Sequence, residues 1–458
     1  MSKEQVQNWW ENVQSSLWYI PAMLGVVAFA LSFIMPEIDS RVEDELTRHQ
    51  DWLFFGTSDS ARAILSAISG SLITVIALLF SITILTLQQA STQFTPRIIR
   101  TFMRDRGIQT VLGVFLATFL YSLLVLRQVR GEDAVGGSSV PMLSVSLALM
   151  LTILCLALLI FFLHHSATML QAASIIERIH HETLDAIRTL YPDAMGEPVD
   201  GSLSLDAFRE QHTGQPRLRV RAASAGFLRR VDDGVIVDAL GNDGWGIVHP
   251  PVGAYITHRR GLVEIGGVSD SNDERDQRLR EAFILDRERT LTQDAMFGIR
   301  QLVDVALKAL SPSIHDPTTA EHVISCLGDI LIVLADRSFP SPVRTVEDDE
   351  AGKRLTLWIN RPDFEAYLDA AFGQIRRVAR DNLHVTTHLL DVLTELERHT
   401  TGQRRASVRR EIERVLRQSI EACFDHEDQA RLLALARATR DEDRGMGHES
   451  GHGRSQTG

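Results

Sequence analysis

The sequence predicts a membrane α-helical fold, in which four transmembrane helices precede a cytoplasmic α+β part: a small β-barrel or sandwich module and a helical domain. Two observations lead to this prediction. The first third of the 458-residue chain holds long uncharged apolar runs, and about 20 such residues suffice to span a bilayer. The remainder carries most of the charge, so the net charge of −12 conceals a division into a membrane part and a hydrophilic part.

The predicted spans cover residues 18–35, 63–90, 108–126 and 142–163, within a transmembrane domain of residues 1–170. The amino terminus is not expected to be a cleavable signal peptide. It opens with a polar, tryptophan-containing stretch, and no small-residue cleavage site follows the first apolar run. The first span is therefore predicted to stay in the membrane.

The charges of the loops predict the orientation. Acidic residues dominate residues 37–61, whereas Arg97, Arg100, Arg104 and Arg106 follow the second span. Because positively charged loops remain in the cytoplasm, both termini are predicted to be cytoplasmic in a bacterial inner-membrane protein. The first three of these arginines fall on one helix face. They are expected to contact anionic lipid headgroups of the bilayer, or to attract anions as a ring in a homo-oligomer.

The second span carries a face of small and hydroxyl residues. Its members recur at steps of three, four and seven: Ser66, Gly70, Thr74, Ala77, Ser81, Gln88 and Thr92. Such a face either packs closely against another helix or lines a wet pore. No charged residue lies between Ala63 and Pro96, which disfavours an ion-coupled transporter because coupling sites usually need one.

Beyond the spans, the residue pattern predicts four further segments. Residues 171–216 form a helical connector, 217–268 the small β module, 275–440 the helical cytoplasmic domain and 441–458 a disordered tail. Short apolar runs broken by glycine indicate the β module. It contains no lysine between residues 225 and 267, which excludes a lipoyl or biotin carrier, and no cofactor is expected.

Histidines supply the only candidate metal ligands with a suggestive spacing. His384 and His388 lie four residues apart on a predicted helix, with Asp391 on the same face. Imidazole and carboxylate groups so placed can bind zinc or a related metal. The alternative is that these histidines are interfacial or capping residues. Three cysteines are too few for a disulfide framework.

The sequence gives no sign of an enzyme or of nucleic-acid binding. It contains no phosphate-binding loop, no nucleophile elbow, no zinc-protease motif and no dinucleotide fingerprint. The charged part shows no clear basic patch, so nucleic acid is not an expected partner.

Several motifs resemble a bacterial family of predicted membrane proteins, catalogued as domain of unknown function two-two-five-four. They are Ser60–Ser66, Phe80–Thr83, Leu87–Arg97, Phe102–Asp105, His164–His165, Phe297–Asp304 and Ala309–Pro312. The family often has Asn before Asp-Pro, where this chain has His315. The resemblance covers nearly the whole chain and supports the membrane architecture, but it implies no established activity.

The function that the sequence favours is an oligomeric channel or passive pore, lined by the second span, with the cytoplasmic part as vestibule and gate. The alternative is a non-conducting membrane scaffold or sensor whose cytoplasmic domains bind partners. A ring of four or more subunits would favour the first, and a monomer or a two-fold dimer the second.

Overall fold

A computed structural model divides the chain into two compact units, Met1–Ser174 (unit 1) and Ile175–Gly458 (unit 2). The tail 441–458 and the arginines at 97, 100 and 104 lie outside the described residues. The structure describes residues 16–46, 57–93, 105–129, 141–169, 171–191, 205–214, 217–232, 234–236, 245–266, 273–287, 289, 294–339, 342–348, 353–422, 427, 428, 430, 432 and 434.

The described part of unit 1 consists of helices that contain the predicted spans: α1 (Tyr19–Leu46), α2 (Ser58–Gln93), α3 (Arg106–Leu126) and α4 (Met142–Met169). Helix α3 makes the most extensive contacts with each of the other three helices. The long runs of Leu, Ile, Val and Phe in these segments favour helices whose backbone groups bond internally, as a bilayer requires.

Contacts near both ends of α3 define the helix directions. Gln128 Nε2 donates to the Ser32 carbonyl (2.8 Å), and Gly113 faces Pro21 and Leu24 on α1. A Cβ atom at residue 113 would come within 2.8 Å of Leu24 Cδ1, so glycine permits this close approach. Helices α1 and α3 therefore run parallel. Helix α4 is antiparallel to both, because Asp39 contacts its first turn, at Ser144.

Among the residues that the structure describes, five helices are long and apolar enough to cross a membrane: α1 to α4 and, in unit 2, Pro317–Ala335. Their outer surfaces differ. All but three of the exposed large hydrophobic side chains lie between Trp18 and Leu163. The exposed residues of Pro317–Ala335 are instead Thr318, Ser325 and Asp329. Most of its apolar residues are buried inside unit 2, among them Val323, Leu327 and Leu331.

Unit 2 contains helices and two β-sheets. Its elements are α5 (Ala172–Leu190, which begins in unit 1), α6 (Leu205–Gln211), β1 (Arg217–Arg221), β2 (Gly226–Val231), β3 (Trp245–Val248), β4 (Tyr255–Ile256), β5 (Gly261–Gly266), α7 (Asp273–Glu281), β6 (Phe283–Asp286), α8 (Ala295–Ala309), α9 (Pro317–Ala335), β7 (Val343–Asp348), β8 (Lys353–Ile359), α10 (Phe364–Ala379), α11 (Leu383–Arg398) and α12 (Gly402–Ala422). The mostly helical chain with a few strands agrees with the prediction.

The predicted β-barrel is wrong for the part of unit 2 that the structure describes. One sheet has the strand order β1-β5-β3-β8-β7 and the other β4-β2-β6, and neither closes on itself. Both sheets contribute to one apolar core, to which Val263, Leu228 and Leu357 belong. The barrel was predicted from local strand spacing, but the sheets also recruit β6, β7 and β8 from the region predicted to be helical.

Helices α8 to α12 form the helical core of unit 2, with α8 against α9 and α10, and α11 against α9 and α12. The segment predicted as the helical domain, residues 275–440, is interrupted near its start. Phe283–Asp286 form β6, which pairs with β2, and α8 begins only at Ala295, where Asp294 caps it. Likewise, residues 234–236, expected in a strand, form a helical turn.

His315 lies in the turn between α8 and α9, where its N–H bonds to the Ser311 carbonyl (3.0 Å). Its φ angle is +50°, in the left-handed region that Asn and Gly adopt most readily. Asn, the residue that the resemblance leads us to expect here, would suit the same backbone conformation.

Candidate functional site

The candidate site is the outward face of α2, on which the sequence had placed the small and hydroxyl residues. Six of the seven residues of this face are exposed in unit 1: Ser66, Gly70, Thr74, Ala77, Ser81 and Gln88. The side chain of the seventh, Thr92, lies outside the described part. The structure therefore places this face away from the helices of its own unit.

The opposite face of α2 holds the helix against the rest of unit 1. Leu65, Leu72, Ile76 and Leu79 are buried, and they recur at helical spacing. The contacts of α2 within the chain thus involve mainly large apolar residues, with Ser69, Thr83 and Thr86 also buried, while the small-residue face is exposed in the described part of unit 1. Ile73, Leu78 and Leu85, which are exposed, complete the outer surface of α2.

The polar groups of the outward face differ in how they are satisfied. Thr74 Oγ1 donates to the Gly70 carbonyl of its own helix (3.2 Å). Within the described residues, the side chains of Ser66, Ser81 and Gln88 make no such bond. A polar group without a partner is costly in hydrocarbon, so these side chains favour contact with water or with another protein surface.

At one end of unit 1, Asp39 contacts the first turn of α4. The sequence had indicated this residue only as one of the acidic charges of a loop. Asp39 of α1 accepts hydrogen bonds from the backbone N–H groups of Leu143 (2.7 Å) and Ser144 (3.0 Å) and from Ser144 Oγ (2.7 Å). A carboxylate at a helix amino terminus binds N–H groups that have no partner in the helix itself. Asp39 therefore caps α4 from a different helix.

Replacing Asp39 by Ala is expected to destabilise unit 1 by about 1–2 kcal/mol, because N–H groups in the first turn of α4 lose their acceptor. The measurement is the midpoint of thermal unfolding of the full chain in detergent. Asp59→Ala is the matched control, since Asp59 is an exposed carboxylate in the first turn of α2. Equal shifts for the two variants would contradict the capping role.

The other end of unit 1 holds a contact between an aspartate and a histidine that sequence reasoning missed. Asp105 caps α3 by accepting from the Ile108 N–H (2.9 Å), and its Oδ1 lies 3.0 Å from His165 Nε2 of α4. The ring of His165 also stacks on Phe161, with centroids 5.3 Å apart. The sequence showed both residues in motifs, but only antiparallel packing of α3 and α4 could join them.

The predicted metal ligands do not converge. His384 Nε2 lies 3.1 Å from Glu321 Oε1 of α9, His388 Nε2 lies 2.8 Å from Ser325 Oγ, and Asp391 is exposed. Among the residues that the structure describes, no group of three His, Cys, Asp or Glu side chains could hold a metal ion. The histidines instead link α11 to α9.

The helical core of unit 2 contains a cysteine whose surroundings do not favour a reactive thiol. Cys326 on α9 is buried. Burial, and secondarily the negative charges of Glu177 and Asp329, raise the pKa of its thiol to about 11. Because the thiolate is the reactive form, this side chain is a poor nucleophile near neutral pH.

A buried carboxylate in the larger sheet is surrounded by cationic groups. Glu264 of β5 lies 3.5 Å from both Arg217 and Arg219 and 3.2 Å from His249 Nε2. Burial lowers the pKa of His249, although its hydrogen bond and its attraction to Glu264 oppose that effect. The cluster holds β1, β3 and β5 together on the face opposite the main core.

This cluster predicts that unit 2 loses stability in mild acid. With a lowered pKa in the fold, His249 binds fewer protons than in the unfolded chain, so stability rises with pH. It falls as pH drops below about 6.5, the ordinary value for histidine. His249→Gln, which keeps a donor toward Glu264, is expected to flatten the dependence of the unfolding midpoint between about pH 7 and 5. An unchanged slope would contradict this role.

Comparison with known proteins places these observations in a wider context. The family model described as "Predicted membrane protein (DUF2254)" matches residues 14–395. Over 443 residues the chain is 34% identical to uncharacterized proteins of Mycobacterium tuberculosis (MT1328) and Mycobacterium bovis (Mb1321c), covering 93% of this chain and 81% of each relative. No solved structure matches the chain at the required significance.

Proposed function

We propose, from the premise that this chain belongs to the DUF2254 family of predicted membrane proteins, that it is an oligomeric passive pore. In this proposal, copies of the chain assemble as a ring in the bacterial inner membrane. The outward face of α2 points to the axis, and unit 2 forms the cytoplasmic vestibule and gate. The observation that carries the proposal is the exposure of small and hydroxyl residues on α2.

The contrast between helices is the main support. Helices α1 and α4 present large apolar side chains outward, such as Phe29, Phe33, Ile153 and Ile160, as expected of surfaces in contact with lipid. The face of α2 that carries Ser66 to Gln88 presents hydroxyl, amide and glycine positions between the exposed apolar side chains of Ile73, Leu78 and Leu85. In a ring, subunits would pack along the flanks of this face while its centre remains wet.

The absence of charge in the middle of α2 favours passive conduction over coupled transport. No Asp, Glu, Lys or Arg lies between Ala63 and Pro96, whereas coupling sites usually require such residues. Hydroxyl and carbonyl groups suffice to line a pore that only lowers the barrier to an ion. We infer a transport role rather than an enzymatic one because the sequence contains none of the catalytic motifs considered above.

The proposal further includes four spans, α1 to α4, with both termini in the cytoplasm. The polar outer surface of α9 supports its assignment to the water-soluble part. The arginines at 97, 100 and 104 support the orientation, and we infer that they contact anionic headgroups at the cytoplasmic side.

Conductance with thiol modification tests the proposal. A variant without native cysteines that carries Ser81→Cys is reconstituted in a planar bilayer, and a charged methanethiosulfonate is added. A current that falls on modification is expected. Ile153→Cys is the matched control, because Ile153 is exposed on α4. The absence of any current under all tested voltages and pH values, or equal block in both variants, would overturn the pore.

The oligomeric state supplies a second test. A ring of four or more subunits is expected in electron micrographs of the purified protein. A monomer or two-fold dimer without conductance would contradict the pore and favour the scaffold or sensor instead.

A further inference from the structure

Unit 2 carries a concentration of arginines that the linear sequence does not reveal. Arg221 ends β1, Arg259 and Arg260 form the turn before β5, and Arg280 lies near the end of α7. These four residues, called the basic patch below, come from three separate segments. The chain as a whole has a net charge of −12, so the patch is a local exception.

Hydrogen bonds hold the three segments together. The Arg259 N–H donates to the Ala222 carbonyl (3.1 Å), and the Ala222 N–H donates to the Arg260 carbonyl (2.9 Å). Arg280 Nε donates to the Arg221 carbonyl (3.1 Å). Because the first two bonds join backbone groups and the third fixes the Arg280 side chain on a backbone carbonyl, the arrangement of the four arginines is part of the fold.

The charges of the basic patch are not neutralised inside the described part of the protein. Arg221, Arg259 and Arg260 are exposed, and Arg280 is partly exposed. None of the four forms an ion pair with a described carboxylate. The nearby buried acid, Glu264, is instead surrounded by Arg217, Arg219 and His249. The guanidinium groups therefore retain donors for an external anion.

We propose that the basic patch binds the phosphate groups of anionic phospholipids at a membrane surface. Guanidinium groups recognise phosphate by charge and by paired hydrogen bonds. Tyr255, one of few exposed large hydrophobic side chains in unit 2, adjoins the patch, since its carbonyl accepts from Arg260 Nη1 (3.0 Å). Aromatic side chains with one polar end favour the headgroup region.

A lipid surface fits the patch better than a nucleic acid. Four arginines match a few separate phosphates, whereas specific nucleic-acid interfaces are larger and more extensively basic. The chain also belongs to a family of membrane proteins, so lipid headgroups are its permanent surroundings. This proposal does not depend on the pore, because it concerns a surface of unit 2 and would hold equally for a non-conducting protein.

Arg259 allows a test that does not weaken the fold. Its φ angle is +66°, a conformation that glycine adopts more readily than arginine. Arg259→Gly therefore removes one charge while relieving the backbone. If Arg259 had a purely structural role, the variant would retain full binding to anionic lipid. The proposal instead predicts that the variant binds anionic lipid more weakly, although it is at least as stable as the unmodified protein.

The experiment uses the full chain in nanodiscs of phosphatidylcholine, mixed with vesicles of phosphatidylcholine alone or with added phosphatidylglycerol, and measures co-flotation. Binding to the phosphatidylglycerol vesicles that weakens with added salt is expected. Arg259→Gly should weaken it about fivefold, and Arg221→Gln with Arg259→Gly about 25-fold. The matched control is Arg188→Gln with Arg398→Gln, exposed arginines that each pair with an acid three residues before them.

The outcomes separate the possible explanations. Equal binding to both vesicle types, or equal losses in the patch and control variants, would overturn the proposal. A parallel anisotropy titration uses fluorescent single- and double-stranded DNA with the same nanodiscs. Tighter binding of DNA than of the anionic vesicles, lost in the patch variants, would assign the patch to nucleic acid and overturn the lipid surface.

Discussion

Replacing Glu411 by Gln is expected to destabilise unit 2 by about 3–5 kcal/mol, because it leaves a buried arginine without its counter-charge. Glu411 of α12 accepts from Arg376 Nε of α10 at 2.7 Å, and the two side chains are 2% and 6% exposed. Arg414 adds a second cationic contact at 3.3 Å. The variant keeps the size of the side chain, so the loss of stability measures the effect of removing the charge rather than a change in packing.

Thermal unfolding of the full chain in detergent measures this effect, with an expected decrease of the midpoint on the order of 10 °C. The control is Glu395→Gln. Glu395 pairs with Arg398 at 3.0 Å, but both side chains are about half exposed, and such surface pairs contribute at most about 1 kcal/mol.

A double variant tests the explanation itself. Arg376→Met with Glu411→Leu removes both charges and fills the space with apolar groups, a replacement that other buried pairs tolerate well. It is expected to unfold at a higher temperature than Glu411→Gln alone. If the double variant were less stable than the single one, the buried pair would stabilise the fold through geometry that apolar side chains cannot replace.

Helices were predicted from the sequence more accurately than sheets. A helix is stabilised by bonds between nearby residues, whereas a sheet depends on pairing between strands that are remote in the sequence. Each apolar helix of unit 1 satisfies its own backbone, so local composition is sufficient to detect it. Strand β8 pairs in parallel with β3, bringing Thr356 opposite Trp245. Such a pairing joins positions that are remote in sequence. Leu355, Leu357 and Ile359 alternate with polar or aromatic residues. This period of two was the local sequence signal for strand β8.

The candidate site was predictable in part. Helical spacing alone placed Ser66, Gly70 and Ser81 on one face of α2. Whether that face packs inside the chain depends on which residues of α2 contact α3. The sequence does not decide this, because both faces of α2 contain residues that suit a contact with another helix. The structure resolves the choice, because Leu65 and Leu72 are buried on the other side.

The polar contacts likewise divide into those that the local sequence indicates and those that join residues distant in the sequence. Asp316 caps α9 through its Oδ1, which accepts from the Thr319 N–H (3.1 Å), and an Asp directly before Pro317 is a local signal for such a cap. The caps and pairs formed by Asp39 and Asp105 with α4 join helices that are far apart in sequence. Helix periodicity carries no information about them.

Replacing Gly253 by Ala is expected to have a comparably large effect, since this glycine lies against a buried ion pair. Its φ angle is +84°, and a Cβ atom would come within 2.2 Å of Asp294 Oδ2 and 2.6 Å of Arg289 Nη2. Arg289 Nε and Nη2 donate to that same oxygen at 2.9 and 2.7 Å. An added methyl group must therefore displace the carboxylate or the loop.

Displacing the carboxylate would disturb the start of α8 as well. Asp294 is 5% exposed and caps α8 through the Phe297 N–H (3.1 Å). Burial raises the pKa of Asp294, and Arg289 opposes this increase. Loss of the arginine contact would thus leave a buried carboxylate without its main counter-charge, which costs about 3–5 kcal/mol. The left-handed backbone adds about 1–2 kcal/mol for alanine.

Gly214→Ala separates the two contributions. Gly214 has a φ angle of +93°, and nothing lies within 4 Å of a Cβ atom placed there. This control therefore carries the backbone cost alone. The midpoint of thermal unfolding of the full chain is expected to fall several times further for Gly253→Ala than for Gly214→Ala. Equal shifts would show that the Arg289–Asp294 pair adapts to the methyl group, and that Gly253 is required only for its backbone conformation.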